Sequence, residues 1–250
     1  MITYGTIEEF YALLRTYEER FPEVAAPLKL PARLKDFQNV FVLDQICKLL
    51  PDGGRLLEVG GGSCAMMRSL RKNDPGKYEC WSLDPLDGTG NGPVSASLAK
   101  PDETGMGAIP GVKTIEERIG AFSKSLPDDY FDFIFSISVL EHIPLDEWST
   151  CFKDMRRLLK PGGYCAHSVD LHPLDGKTAA DRLAALSAAQ AGTLSPLDES
   201  KSPTIEEIRS HPSVLVASPF EYARWLRHMD QRDGPYRRVA AGNSVYRRMD

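Results

Sequence analysis

The segment Leu56-Leu57-Glu58-Val59-Gly60-Gly61-Gly62-Ser63-Cys64 constrains the fold more than any other part of the chain. An apolar run ends at an acid and turns at once through consecutive glycines, the pattern of a short buried strand that enters a tight turn before a helix. Glycine carries no Cβ, so it accepts φ > 0 and lets backbone N–H groups approach a ligand closely. The helix expected over 63–72 points its positive end at that turn, which suits an adenosyl cofactor. The glycines alone do not select the cofactor. Gly60, Gly62 and Ala65 also satisfy the G-x-G-x-x-G/A dinucleotide pattern, with Asp84 about twenty residues further on. The same glycines would also serve plain packing of a strand against a helix.

Around this turn the hydrophobic pattern alternates between strand and helix. Apolar residues recur at helical spacing over 7–20 and 36–50, so two helices precede the first core strand, 55–59. Further strands are expected at 78–83, 112–119, 131–137 and 164–170, with an amphipathic helix over 145–159 stopped by Lys160-Pro161-Gly162-Gly163. Such alternation implies a parallel sheet with right-handed crossovers, and ligands of these sheets gather at the carboxyl ends of the strands. The stretch 84–111 is crowded with Gly and Pro and reads as a long loop beside such an end. Beyond Asp170 the pattern loosens into helices over 177–191 and 219–229, a Ser/Pro linker over 194–203 and a hairpin over 236–249. The expected organisation is a helical extension at 1–54, a cofactor-binding core at 55–170, an inserted cap at 171–233 and terminal strands of the core sheet at 234–250.

With 250 residues, 42% of them hydrophobic, the chain can bury a full core. A formal net charge of -5 argues against a generally basic nucleic-acid surface, and Arg237, Arg238, Arg247 and Arg248 are the one basic cluster. No apolar run reaches the roughly twenty residues of a membrane span, and the N-terminus lacks the pattern of a secretory signal, so a cytoplasmic protein is expected. Five cysteines without a C-x-x-C pair are expected to be reduced. Asp170 and His172 have ligand-like spacing but no third strong ligand nearby, so no metal site is assigned.

Four blocks in order, Leu57-Glu58-Val59-Gly60-Gly61-Gly62, then Asp84, then 131–144 ending Val139-Leu140-Glu141-His142-Ile143-Pro144, then Leu158-Leu159-Lys160-Pro161-Gly162-Gly163-Tyr164, resemble the class I S-adenosylmethionine-dependent methyltransferases. Within them the chain resembles the large group with a "LEH" signature after the fourth strand. The resemblance covers 55–170 and implies an α/β, doubly wound, mostly parallel seven-stranded sheet of Rossmann-like type, with N-terminal helices and an inserted helical cap. It implies S-adenosylmethionine as cofactor, with Glu58 at the charged methionine end and Asp84 on the ribose hydroxyls. Gly60 and Gly62 would form the turn, and Ser136 and Ile137 would face the methionine part through their backbone. The acid that often follows the third strand in this family is replaced by Gly120-Ala121-Phe122, where Ala121 and Phe122 could hold adenine through backbone N–H groups and apolar contact, Phe122 being equally readable as a core aromatic.

Methyl transfer from a sulfonium is an in-line displacement, so the protein mainly positions the acceptor and excludes water. A hydroxyl acceptor benefits from a base, and histidine titrates near neutral pH. His142 is the first candidate, with a structural role in the following turn as the alternative; Asp170 and His172 are second candidates. His167 reads as a core histidine. The leading expectation is O-methylation of a small molecule, with no nucleic-acid or membrane partner. An NAD(P)-dependent oxidoreductase and a non-catalytic cofactor-binding protein are the rivals. Glu58 speaks against the first, because a dehydrogenase strand normally keeps an apolar side chain there.

Overall fold

The computed structural model describes residues 2–25, 33–61, 65–85, 110–172, 177–190, 194–197, 202–219, 221–222 and 238–249. Its centre is an eight-stranded sheet in the order β1-β8-β6-β5-β2-β3-β4, with a short β7 paired to β8. The strands are β1 (Ile2–Tyr4), β2 (Gly54–Val59), β3 (Tyr78–Leu83), β4 (Val112–Ile115), β5 (Phe131–Ile137), β6 (Leu159–Leu171), β7 (Ser195–Pro196) and β8 (Ala240–Arg247). β2 to β6 run parallel, whereas β8 is antiparallel to β6 and β1 antiparallel to β8. The helices are α1 (Ile7–Tyr17), α2 (Leu34–Leu49), α3 (Ala65–Asn73), α4 (Trp148–Leu158), α5 (Lys177–Gln190) and α6 (Ile205–Ser210).

Alternating side chains divide the interior into two layers, as a sheet buried on both faces requires. Leu56, Phe133, Phe135 and Ile137 pack with α1, α2 and α3 on one face. Leu57, Val59, Ile134 and Cys165 pack with α4 and α5 on the other. α1 begins where the Thr6 hydroxyl accepts from the Glu9 N–H, and it buries Phe10, Leu13, Leu14 and Tyr17, a stripe at helical spacing. α2 is buried nearly all round because it lies between α1 and strands β5, β6 and β8. Burial of Phe37, Val40, Phe41, Leu43 and Ile46 contributes about 1.5–3 kcal/mol each before chain entropy is set against it.

Several sequence expectations differ in extent. A strand, β1, precedes the two N-terminal helices; three residues are too few to show a period, and its pairing with β8 joins the two ends of the chain. The strand expected at 164–170 starts at Leu159. The helix ends at Leu158, and the Pro-Gly-Gly run after it lies within the strand as a bulge: Phe131 pairs with Leu159 and Phe133 already with Tyr164, while Gly162 sits at φ +79. Within 236–249, residues 240–247 form one strand and not two, with 236–237 outside the described residues. Most of the loop at 84–111 and of the helix at 219–229 also lies outside them. In the segment expected as a cap, α5 packs against α4 and β6, with Ala179, Leu183 and Leu186 in the second core layer. No described helix is long and apolar enough to cross a membrane.

β2 sits between β3 and β5, and the chain leaves it outward on one side and returns on the other. The strand order therefore reverses between β2 and β5, which opens a crevice beyond their carboxyl ends.

Candidate active site

The β2 end of that crevice carries the residues expected to hold a cofactor. Glu58 is a buried carboxylate one residue from the end of β2. Gly60 has φ +69 and donates its N–H to the Leu83 carbonyl at 2.8 Å. A Cβ there would lie 2.5 Å from Val139 Cγ2, so the close approach of the β2 turn to the segment after β5 requires glycine. Asp84 follows β3 directly, half-buried, with its N–H on the Ile115 carbonyl at 3.1 Å. A Cβ-free turn flanked by carboxylates on adjacent strands fits an adenosyl donor whose amino-acid end carries an ammonium. Gly62 lies outside the described residues.

The Gly120-Ala121-Phe122 loop corrects two expectations. Its amides are already committed: Ala121 N–H donates to the Arg118 carbonyl at 3.2 Å, and Gly120 and Phe122 N–H donate to Asp154 Oδ2 at 2.8 and 3.2 Å. They are therefore not the groups that would hold adenine. Phe122 is not a core aromatic either; it adopts φ +52 and is 45% exposed. The exposed ring has the Arg157 guanidinium over it, 5.9 Å from its centroid. Asp154, on α4 and 1% exposed, was not singled out in the sequence, where it resembles any acid of an amphipathic helix.

Ser136 and Ile137 end β5. The Ser136 hydroxyl points into the sheet core, 2.8 Å from His167 Nδ1. His167 is wholly buried, burial pushes its pKa down to about 3, and Nε2 has no hydrogen-bond partner among the described residues. It is a neutral core histidine satisfied at one nitrogen only. The Ile137 carbonyl accepts from Lys35 Nζ at 2.7 Å.

Beyond β5 a 3-10 turn, Leu140–His142, presents the other candidates. Trp148 Nε1 pins it by donating to the carbonyls of Leu140 and Ile143 at 2.9 and 3.1 Å. Glu141 turns inward, where Oε1 accepts from the Asp170 N–H at 3.2 Å. Burial, with Asp170 alongside, holds its carboxyl well above the usual carboxylate range. His142 turns outward and is exposed on one side, while the protein on its other side pulls its pKa below the ordinary histidine value. Asp170 accepts from Gln38 Nε2 at 2.7 Å and from the Ser138 hydroxyl at 3.4 Å. His172 stacks on Tyr222 at 5.6 Å between centroids. Arg182 of α5 binds the group together by donating to the carbonyls of Asp170, His172 and Glu141 at 3.2–3.4 Å.

The structure thus brings His142, Asp170 and His172 to one end of the crevice and adds Lys35, Gln38, Arg182 and Tyr222, none of which the sequence signalled. Among the described residues no group of three or more His, Cys, Asp and Glu could hold a metal.

Comparison with known proteins places this geometry. The profile of a family described as a methyltransferase domain matches residues 31–233. No curated protein matches. Among solved structures, phosphoethanolamine N-methyltransferase 2 of Haemonchus contortus, in complex with S-adenosyl-L-methionine, aligns with a TM-score of 0.51 at 13% identity, over 83% of this chain and 52% of that one. N-methyltransferase NodS of Bradyrhizobium japonicum WM9, in complex with S-adenosyl-L-homocysteine, aligns with a TM-score of 0.49 at 14% identity, over 94% and 99%. The chain spans about half the length of the Haemonchus protein, and at these identities the likeness is one of fold. By the family match over most of its length, and with the sheet order and crevice described above, this chain belongs to the methyltransferase-domain family and has the class I S-adenosylmethionine-dependent methyltransferase fold.

Proposed function

We propose that the protein moves a methyl group from S-adenosylmethionine to a small-molecule acceptor, with a hydroxyl oxygen as the accepting atom. The observation that carries this is the pairing, in one crevice, of the glycine turn between Glu58 and Asp84 with an outward-facing His142 held below its ordinary pKa. Glu58 would receive the donor's ammonium, Asp84 its ribose hydroxyls and the Phe122 ring its adenine. Bound there, the cofactor supplies a methyl group on a sulfonium, ready for in-line displacement.

The chain's own residues then hold the acceptor and move its proton. His142 is held below the ordinary histidine pKa because the protein on its inner side disfavours the charged form, so its ring can take a proton from a hydroxyl at the crevice mouth. Asp170 and His172 stand behind it, fixed through Arg182. We also propose that the segment 171–233 covers the acceptor end. Glu221 accepts from the Leu34 N–H at 3.1 Å and Tyr222 stacks on His172, so this segment meets the first turn of α2 at the rim. A cover of this kind suits a compact acceptor more than nucleic acid, in keeping with the net charge of -5.

The test is calorimetric titration with S-adenosylhomocysteine and with NAD, followed by mass detection of methylated products from paired hydroxyl and amine acceptors. S-adenosylhomocysteine should bind and NAD should not. His142→Ala should leave that binding unchanged and lower kcat by about 10²–10⁴, the usual contribution of a general base. The acid limb of the wild-type rate profile should fall below the ordinary histidine value, since the base stays unprotonated to lower pH. Methylation confined to amines would refute the hydroxyl assignment, and full activity in His142→Ala would remove the base.

A further inference from the structure

Lys35 belongs to the first turn of α2, and its ammonium donates to the Ile137 carbonyl at 2.7 Å. Ile137 ends β5, and its neighbour Ser136 pairs with Val59 of β2, so this carbonyl lies on the same carboxyl edge as Glu58 and Gly60. Burial disfavours the charge there and holds the lysine below its ordinary pKa, while Asp170 is the carboxylate that most favours it. A lysine ammonium is a compact, strongly hydrated charge that leaves water only where acceptors and anions receive it. The Ile137 carbonyl at the carboxyl edge of β5 and β2 thus already receives an ammonium, and the chain supplies its own.

The donor brings the same group. Its methionine portion ends in an α-ammonium, which the reading above directs to Glu58. Two ammonium groups cannot share one carbonyl and one set of acids without strong repulsion. We infer that Lys35 occupies the ammonium position of the donor pocket and must yield it when S-adenosylmethionine binds, which makes Lys35 a residue that sets donor affinity. The inference rests on Glu58, Gly60 and Asp84 forming the donor site.

The rest of the turn is anchored independently of Lys35. Leu34 N–H is held by Glu221, Gln38 by Asp170 and Ser138, and the Arg33 guanidinium by Asp36. Release therefore needs only rotation of the flexible four-carbon stem. Asp170, bonded to Gln38 and Ser138 nearer the acceptor end, remains to receive the displaced charge. His142 and Arg182 face the same cluster, so the ammonium's move changes the field at the proposed base. Donor binding and preparation of the acceptor end are coupled through one side chain.

Titration of wild type and Lys35→Met with S-adenosylhomocysteine, and with an analogue lacking the α-amino group, tests this. Lys35→Met should bind S-adenosylhomocysteine roughly tenfold tighter, the scale of one charge-assisted contact, and the deaminated analogue less than about twofold differently from wild type. Equal or weaker binding of S-adenosylhomocysteine by a natively folded Lys35→Met would overturn the inference. A crystal structure of the wild type with S-adenosylhomocysteine decides the matter without any variant. The ligand's amino nitrogen on the Ile137 carbonyl, with Lys35 withdrawn, supports it, and Lys35 still bonded there refutes it. If neither protein takes up S-adenosylhomocysteine, it is the donor site itself that is refuted, and the inference with it.

Discussion

Gly60→Val is expected to abolish measurable binding of S-adenosylhomocysteine and to lower stability by roughly 2–5 kcal/mol. Two costs add. The backbone stands at φ +69, where a side chain costs about 1–2 kcal/mol. The new Cβ would lie 2.5 and 2.6 Å from the two γ-methyls of Val139, and such overpacking costs about 1–3 kcal/mol. Val139 is branched at the contacting carbon, so it cannot withdraw a flexible tip. It must move with its backbone, and it immediately precedes the turn that carries Glu141 and His142. The substitution thus closes the donor turn and displaces the acceptor end together. Gly60→Ala alone meets the same Cβ contact. Combined with Val139→Ala it should recover the overpacking part of the loss but not the backbone part. Calorimetric titration and thermal unfolding of the three variants measure both. Wild-type affinity in Gly60→Val would show that the turn does not cradle the donor.

The glycine turn was visible in the sequence because everything it needs is local: an apolar run, an acid and glycines in succession. β5 was visible for the same reason, since Phe131 to Ile137 forms an apolar run introduced by a turn signal and was expected at the limits found. Lys35 was not visible. Its meaning comes from a contact with Ile137, a hundred and two residues away, and its position in α2 is that of any polar residue in a first turn. Gln38, 1% exposed and bonded to Asp170, would have been placed on a solvated face by its type alone. For Phe122 only the core reading failed: an aromatic residue is more often buried, but this one stands on a left-handed backbone with its N–H on Asp154. Local chemistry thus specified the glycine turn, while the cluster around His142 and Asp170 is assembled from side chains whose roles depend on tertiary packing.

The largest stability effect is expected at Asp154. Its carboxylate is almost fully buried, and Oδ2 receives the Gly120 and Phe122 amides while Oδ1 receives the Arg157 guanidinium at 2.8–2.9 Å. Asp154→Ala leaves two loop amides unpaired and a partly buried cation without its best-enclosed anion. Breaking a buried pair in this way costs about 3–5 kcal/mol. For a chain of this size that corresponds to a fall in Tm of roughly 10 °C. Arg157 keeps Asp128 and the carbonyls of Leu126 and Ser123, so it holds its place while the loop it braced loses both restraints. Nothing then compensates the positive φ of Phe122, and its ring is expected to leave its present position. Affinity for S-adenosylhomocysteine should fall with it, and hydrogen exchange at 118–126 should quicken more than elsewhere. Asp154→Asn keeps the shape but turns an amide donor toward either the loop N–H groups or Arg157, so it should fall between the alanine variant and wild type on both measures. If Asp154→Ala kept its Tm within about 2 °C of wild type, a change of about 1 kcal/mol or less, the carboxylate would not brace the loop, and Phe122 would owe its outward position to something else.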